Sequence, residues 1–450
     1  MILMLLIPYL AALVFVACDL RGRFATSRIR TPLWPSWWWI SAIVTSYAVQ
    51  IALAWWAATH QEVIRVPSGL LPLPVLDTHV LHRNLVSIAV ALIGALQTYA
   101  LLGLFRAKPA PRAIAIGCAA MAVLSLGSPA LASFDALGYV HDALLGRAAW
   151  APPPVLPGQL HVVDLWFGRP MMSVYGPLWI PIVTIMTAAA SGWLAKVLLL
   201  RAFGIAFLGA LFVLLRALKM PARTLAIACV NPALFFEFVA NAHNDVIPVL
   251  IVAAGAILMK RWQSAAAAAI VVAGSIKLPY VALGLPVLSA VRPQLARYAW
   301  CAAAVLVTIA ISWFGGGAPY LHSLLDRNTR AQWDTWNLWH LPGVVVALAL
   351  LARAVAGGRR YRSALWLMPI LGSFSLPITF PWYFAWGFPY AFGQRRLLAH
   401  LLIGFPLAAA LVTHELVSVW LLFFIYPLLV LVLCVPLQRR QVRPAPARNV

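Results

Sequence analysis

Apolar runs recur from one end of the chain to the other, separated by short polar loops. A helix needs roughly 17 to 25 apolar residues to cross the hydrocarbon core of a bilayer. The candidate segments are 2–18, 36–58, 84–105, 113–133, 194–215, 224–241, 245–259, 264–276, 279–291, 298–315, 338–352, 363–381, 384–394, 397–413 and 416–436. In lipid the backbone must satisfy its own hydrogen bonds, which a helix does within itself. The pattern therefore predicts an all-α polytopic membrane protein, a bundle of about 13–15 transmembrane helices with re-entrant segments and long outer loops. It reads as a single membrane domain over 1–450: N-terminal helices in 1–133, an outer loop at 134–177, a helical core over 178–436 and a basic tail at 437–450.

Two stretches depart from simple crossing. Residues 177–192 are apolar, yet a full crossing there would move Arg216 to Arg223 to the wrong side of the alternation described below. They read as a re-entrant or outer-leaflet helix, so that 177–215 crosses once. In 264–291 two short helices meet at Ser275-Ile276-Lys277-Leu278-Pro279. A lysine inside an apolar run is costly unless it lines a polar cavity.

Composition supports the bilayer as solvent. The chain is 63% hydrophobic and only 10% charged, against about 25% charged in soluble domains. The net charge of +22 is spread over short loops rather than gathered on a soluble domain, so no nucleic-acid partner is expected. The five cysteines lie in or beside apolar runs, and neither a disulfide nor a cysteine metal site is expected. The first apolar run has no basic region before it and four arginines after it, and reads as a retained helix rather than a cleaved signal.

Charge then orients the helices. Arg21 to Arg30, Arg106 to Arg112, Arg216 to Arg223, Lys260 and Arg261, Arg292 and Arg297, Arg353 to Arg362, Arg395 and Arg396, and Arg439 to Arg448 fall on one set of loops. The positive-inside rule makes that set cytoplasmic. Of the eleven acidic residues, Asp19 alone shares that side, so function is expected outside.

The outer loop 134–177 carries Asp135, Tyr139 and Asp142 at spacings that put them on neighbouring helical positions, followed by Arg169 and a Tyr175-Gly176-Pro177 turn. A carboxylate at the outer end of a helix suits a general base for a hydroxyl; it equally suits a helix cap. A second group is Asn231-Pro232 with Asn241-Ala242-His243-Asn244-Asp245; with Glu237 its polar residues fill a nine-residue window, dense polarity for a membrane interface. It reads as substrate contact or as a capped turn, with Asp245 placed to meet a helix dipole. Lys277 reads as a phosphate-binding cation or a snorkelling one. Loop 316–340 offers Arg327 and Arg330 among tryptophans, suited to phosphate plus a sugar face or to an aromatic belt. No cofactor is required by these residues. A divalent metal stays open through His243 and Asp245, but two ligands do not make a site.

In this order the motifs resemble the GT-C membrane glycosyltransferases: Asp-x3-Tyr (Asp135, Tyr139), YGPLW (Tyr175 to Trp179), NP…HND (Asn231 to Asp245), VAGSIKLP (Val272 to Pro279) and a late PWY (Pro381 to Tyr383). The likeness covers about residues 110–390. It is nearest to the polyprenol-phosphate-mannose-dependent α-mannosyltransferases of bacterial envelopes. The resemblance implies a GT-C-like bundle in the bacterial inner membrane, with its active site facing the exterior. It implies a polyprenyl-phosphate sugar donor, an envelope glycan or glycolipid acceptor and inversion at the anomeric carbon. Asp135 then matches the family's catalytic aspartate, and Lys277 with Arg327 or Arg330 matches its phosphate contacts. Tyr139, Asp142, Arg169, Tyr175, Asn241, His243, Asn244 and Asp245 would complete the substrate site among membrane lipids. One departure is that about four segments precede the loop here, which leaves Asp77 as a competitor. A lipid-linked glycan flippase and an O-antigen-type ligase are the rival readings. No P-loop points to a nucleotide-sugar donor inside the cell.

Overall fold

The computed structural model describes residues 31–60, 84–129, 135–151 and 172–330, with parts of 345–356. Among the described residues the structure is all-helical and contains no strand. Three helices are long and apolar enough to cross a membrane: Ser36–Trp56, Trp193–Ala217 and Gln294–Leu325. A fourth crossing is available if the bent pair Ala222–Cys229 and Pro232–Ala240 acts as one span.

In chain order the elements are α1 (Ser36–His60), α2 (Asn84–Arg106), α3 (Pro111–Leu126) and α4 (Asp135–Leu145), the last extended by a 3₁₀ turn over Gly146–Trp150. Next come α5 (Trp179–Thr187), α6 (Trp193–Ala217), α7 (Ala222–Cys229) and α8 (Pro232–Phe235), which runs into a π-helical turn at Phe236–Ala240. Then follow α9 (Val246–Leu258), α10 (Gln263–Ile276) and α11 (Tyr280–Gly284), continued as a 3₁₀ turn over Leu285–Ala290. The last are α12 (Gln294–Ile311), a π-helical turn at Ser312–Gly316 and α13 (Gly317–Arg330).

Local chemistry explains the breaks. Pro111 stands in the first turn of α3, where its missing N–H costs nothing. The expected segment 224–241 is not one helix. It bends by 43° between α7 and α8. Pro232 cannot donate into the preceding turn, and the Asn231 side chain accepts from the Ala233 N–H to restart the helix. The expected helix over 177–192 is realised only as nine-residue α5, about 14 Å long at 1.5 Å per residue, too short to cross. Gly192, at φ +80°, then turns the chain into α6.

The expected outer loop 316–340 also differs, because Gly317–Arg330 is helical. Gly317, at φ +64°, makes the turn out of the preceding π-helix, and Pro319 sits where an early helical position tolerates it. Tyr320 and Ser323 point inward while His322 and Leu325 face out.

The core sits where α6 crosses the π turn of residues 236–240. At Gly204 a Cβ would overlap the Phe238 carbonyl, so the two backbones touch only because no side chain intervenes. Tyr139, Trp179, Phe235, Phe236 and Phe238 are among the largest fully buried side chains. They pack where α4, α5, α6 and the α8 turn meet.

Candidate functional site

One end of this core is a cluster of buried polar groups. Asp135 opens α4 and is 1% exposed. Its Oδ2 gathers three neighbours. The Tyr139 hydroxyl donates to it at 3.2 Å and the Tyr175 hydroxyl at 3.3 Å. His243 Nδ1 lies 2.9 Å away. The spacing of Asp135 and Tyr139 brings them together one helical turn apart, whereas Tyr175 and His243 arrive from other elements.

Tyr175 is delivered by a short clasp. Gly176 N–H donates to the Ile276 carbonyl at 2.8 Å and Leu178 N–H to the Ser275 carbonyl at 3.1 Å. These bonds tie the YGPL turn to the end of α10. A Cβ at Gly176 would overlap the Ser275 carbonyl, which is why glycine stands there. From the other side, the Trp150 indole donates to the Tyr175 carbonyl at 3.0 Å. Tyr139 packs edge-on against both Tyr175 and Trp179. Burial, with the negative charge of Asp135 beside it, holds the Tyr139 phenol well above its ordinary range, so it stays a neutral donor.

His243 is aimed by backbone geometry. The π turn places Glu237 on the inner face, and Ala242 takes a left-handed conformation at φ +53°. Such a conformation is uncommon for alanine and is held only by surrounding structure. It folds the His243 N–H back onto the Glu237 carbonyl at 2.9 Å. His243 Nε2 then lies 3.3 Å from Glu237 Oε2. Asn241 donates to the same Glu237 oxygen at 3.4 Å, and the Asn244 N–H donates to the Tyr139 oxygen at 3.3 Å.

Lys277 closes the cluster. Its Nζ lies 2.8 Å and 2.9 Å from the two carboxylate oxygens of Asp245. The Tyr280 hydroxyl is 3.1 Å from Asp245 Oδ1. The Lys277 ammonium also stands 5.7 Å from the Tyr175 ring centre. Asp245 precedes α9 but makes no capping bond with its side chain; its carboxylate is turned to the lysine. Lys277 is 8% exposed and ion-paired, which differs from a snorkelling side chain. Tyr175 thus touches both the acid Asp135, through its hydroxyl, and the neighbourhood of the cation Lys277, through its ring.

The other expected site residues distribute as follows. Asp142 is buried and accepts from the Ser173 hydroxyl at 3.0 Å, fastening α4 to the chain before the clasp. Arg169 lies outside the described residues, as do Asp77 and the Pro381-Trp382-Tyr383 motif. Arg327 and Arg330 are on the helical backbone of α13, and their side chains lie outside the description. The His243 ring lies toward Asp135 and Glu237, and the Asp245 carboxylate lies toward Lys277. Among the described residues no group of three or more His, Cys, Asp or Glu side chains is arranged to hold a metal ion.

Glu237 belongs to the dense polar window the sequence marks, whereas Tyr280, Ser173 and Arg201 were left out by sequence reasoning. Arg201 sits nine residues into α6 and is fully buried. It donates to the carbonyls of Leu126 and Ser128 at 2.9 Å and 2.7 Å, placing a cation at the C-terminal end of α3 where the helix dipole favours it.

No family model, curated protein or solved structure matches the chain.

Proposed function

We propose that the chain is a polytopic membrane glycosyltransferase. It transfers a hexose, mannose being the first candidate, from a polyprenyl phosphate to a glycan or glycolipid acceptor at the outer face of the bacterial inner membrane. The observation that carries the reading is the placement of a buried carboxylate at the hydroxyl of Tyr175 and a buried ammonium 5.7 Å from the centre of the same ring. Asp135 takes the proton of the acceptor hydroxyl. The acceptor oxygen forms its bond to the anomeric carbon from the face opposite the phosphate. The bond from that carbon to the phosphate oxygen breaks, and its electron pair leaves with the phosphate. Positive charge must meet the phosphate as this happens, and Lys277 with Arg327 or Arg330 is assigned that role. Binding the donor would then draw Lys277 away from Asp245 or share it between the two anions. The resemblance of the five motifs to GT-C enzymes supports the same chemistry.

Purified protein in lipid nanodiscs, given labelled polyprenyl-phosphate mannose and a membrane glycolipid extract, is expected to form a labelled glycan. The Asp135→Asn variant is expected to lose about 10²- to 10⁴-fold in rate, the usual contribution of a general base. An unchanged rate in a folded Asp135→Asn protein would remove the base assignment. A second reading, a lipid-linked glycan flippase, is favoured by the ionisable groups deep among the helices, Arg201 and Glu237. Movement of a labelled lipid-linked sugar across proteoliposomes without any new glycosidic bond would select it.

A further inference from the structure

Glu237 is fully buried, reaches no described cation directly in an ion pair other than His243, and sits on the far side of that ring from Asp135. Oxygens of ionised carboxylates accept hydrogen bonds and cannot donate them. His243 Nδ1 lies 2.9 Å from Asp135 Oδ2 in a hydrogen bond, and its Nε2 lies 3.3 Å from Glu237 Oε2, at ion-pair distance without a hydrogen bond. A ring carrying a proton on each nitrogen donates to Asp135 and sets a positive charge beside Glu237.

The chain is built to hold this order. The π turn over Phe236–Ala240, the left-handed Ala242 and the bond from the His243 N–H to the Glu237 carbonyl fix ring and carboxylate on one short loop. Asp135 approaches from α4. The other charged and titratable groups nearby begin with Tyr47 of α1, which lies within electrostatic reach of Glu237 and whose hydroxyl bonds the Ser125 hydroxyl at 2.8 Å. Tyr139 and Tyr175 donate to Asp135. From α10, Lys277 is ion-paired with Asp245, and from α6, Arg201 donates to carbonyls at the end of α3.

We propose that Glu237 is a positioning residue for Asp135, acting through His243: it keeps the ring with its Nδ1–H toward Asp135 and balances the ring's charge, so that Asp135 rests as a carboxylate although it is buried. The inference rests on the glycosyltransferase reading for its kinetic consequence, but not for its structural one. Removing the Glu237 charge would remove the reason for the ring to carry two protons. Asp135 would lose the opposite charge beside it and hold its own proton more tightly.

Two measurements test this. The first is the pH profile of sugar transfer. In Glu237→Gln the acid limb is expected to move upward by about one pH unit, with activity recovering toward the wild-type plateau at higher pH, and Glu237→Asp is expected to restore the wild-type limb. A lowered plateau with the limb unmoved would show Glu237 to be packing only and would overturn the proposal. The second is the ¹⁵N spectrum of the His243 ring in labelled protein in nanodiscs, assigned by its loss in His243→Gln. Protons on both ring nitrogens at pH 7 are expected in the wild-type protein, and a neutral ring there overturns the proposal even if Glu237→Gln does not fold. If no polyprenyl-phosphate sugar is transferred by the wild-type protein, the glycosyltransferase reading fails, and the spectrum still decides the arrangement of Glu237 and His243.

Discussion

At the scale of single residues, the cluster depends on pairs that cannot be dissolved one side at a time. Lys277 and Asp245 are both buried, with side chains 10% and 0% exposed. Breaking a buried ion pair by removing one partner leaves an uncompensated charge and costs about 3–5 kcal/mol. Lys277→Ala is therefore expected to lower stability in detergent by about that amount, read from chemical unfolding followed by tryptophan fluorescence. The double variant Lys277→Ala with Asp245→Ala is expected to lose less than the two single losses added together. Additive losses would show that the two groups are not coupled. Gly176 makes a second demand of this kind. Alanine there would push the Tyr175 clasp off the Ser275 carbonyl, and overpacking of a tight contact costs about 1–3 kcal/mol. Because Tyr175 reaches Asp135 through that clasp, Gly176→Ala is also expected to reduce transfer.

At the scale of elements, the residue types were legible and the breaks less so. The apolar run over 224–241 reads as one helix because only Asn231, Pro232 and Glu237 interrupt its apolar interior. The structure bends it at Asn231-Pro232, and the same bend presents the π turn that carries Glu237. Periodicity does not register a π turn, since one extra residue per turn leaves the composition unchanged. Residues 317–330 were hidden as a helix by the glycine run before them and by their charges. Packing of α6 against the π turn is the contact that fixes this region. Gly204→Ala is expected to separate α6 from Phe238 and destabilise the protein by about 1–3 kcal/mol, measured by the same unfolding assay. Alanine at Gly209, where a Cβ would meet nothing within 4 Å, is expected to be tolerated and serves as the control.

At the scale of the whole molecule, helix direction links the site to the charge pattern. The end of the α8 turn, the start of α9 and the end of α10 converge on the cluster, while Lys260 and Arg261 lie between the other ends of α9 and α10. The α6–α7 connection, with Arg216, Lys219 and Arg223 at or beside it, likewise follows the end of α6 that is remote from the clasp side. Reporter fusions at residue 219 and residue 190 are expected to give opposite sidedness, the first cytoplasmic and the second external. The same side for both would mean that α6 does not cross, and the outer location proposed for Asp135 would fall with it.

The amino-acid sequence by itself determined the helical class, the apolar composition that makes three of the described helices fit to cross a membrane, and the spacing of acidic residues away from the arginine-rich loops. It also marked Asp135, Tyr139, His243, Asp245 and Lys277 as the residues worth following. These are local properties: length, composition and the spacing of neighbours along one helix. Only the tertiary structure decided who meets whom. His243 reaches Asp135 across 108 positions and Lys277 reaches Asp245 across 32, and Glu237 becomes a partner of His243 through a π turn and a left-handed alanine. Such pairings depend on how helix faces pack and where a glycine lets two backbones touch, and no periodicity along a single segment encodes them.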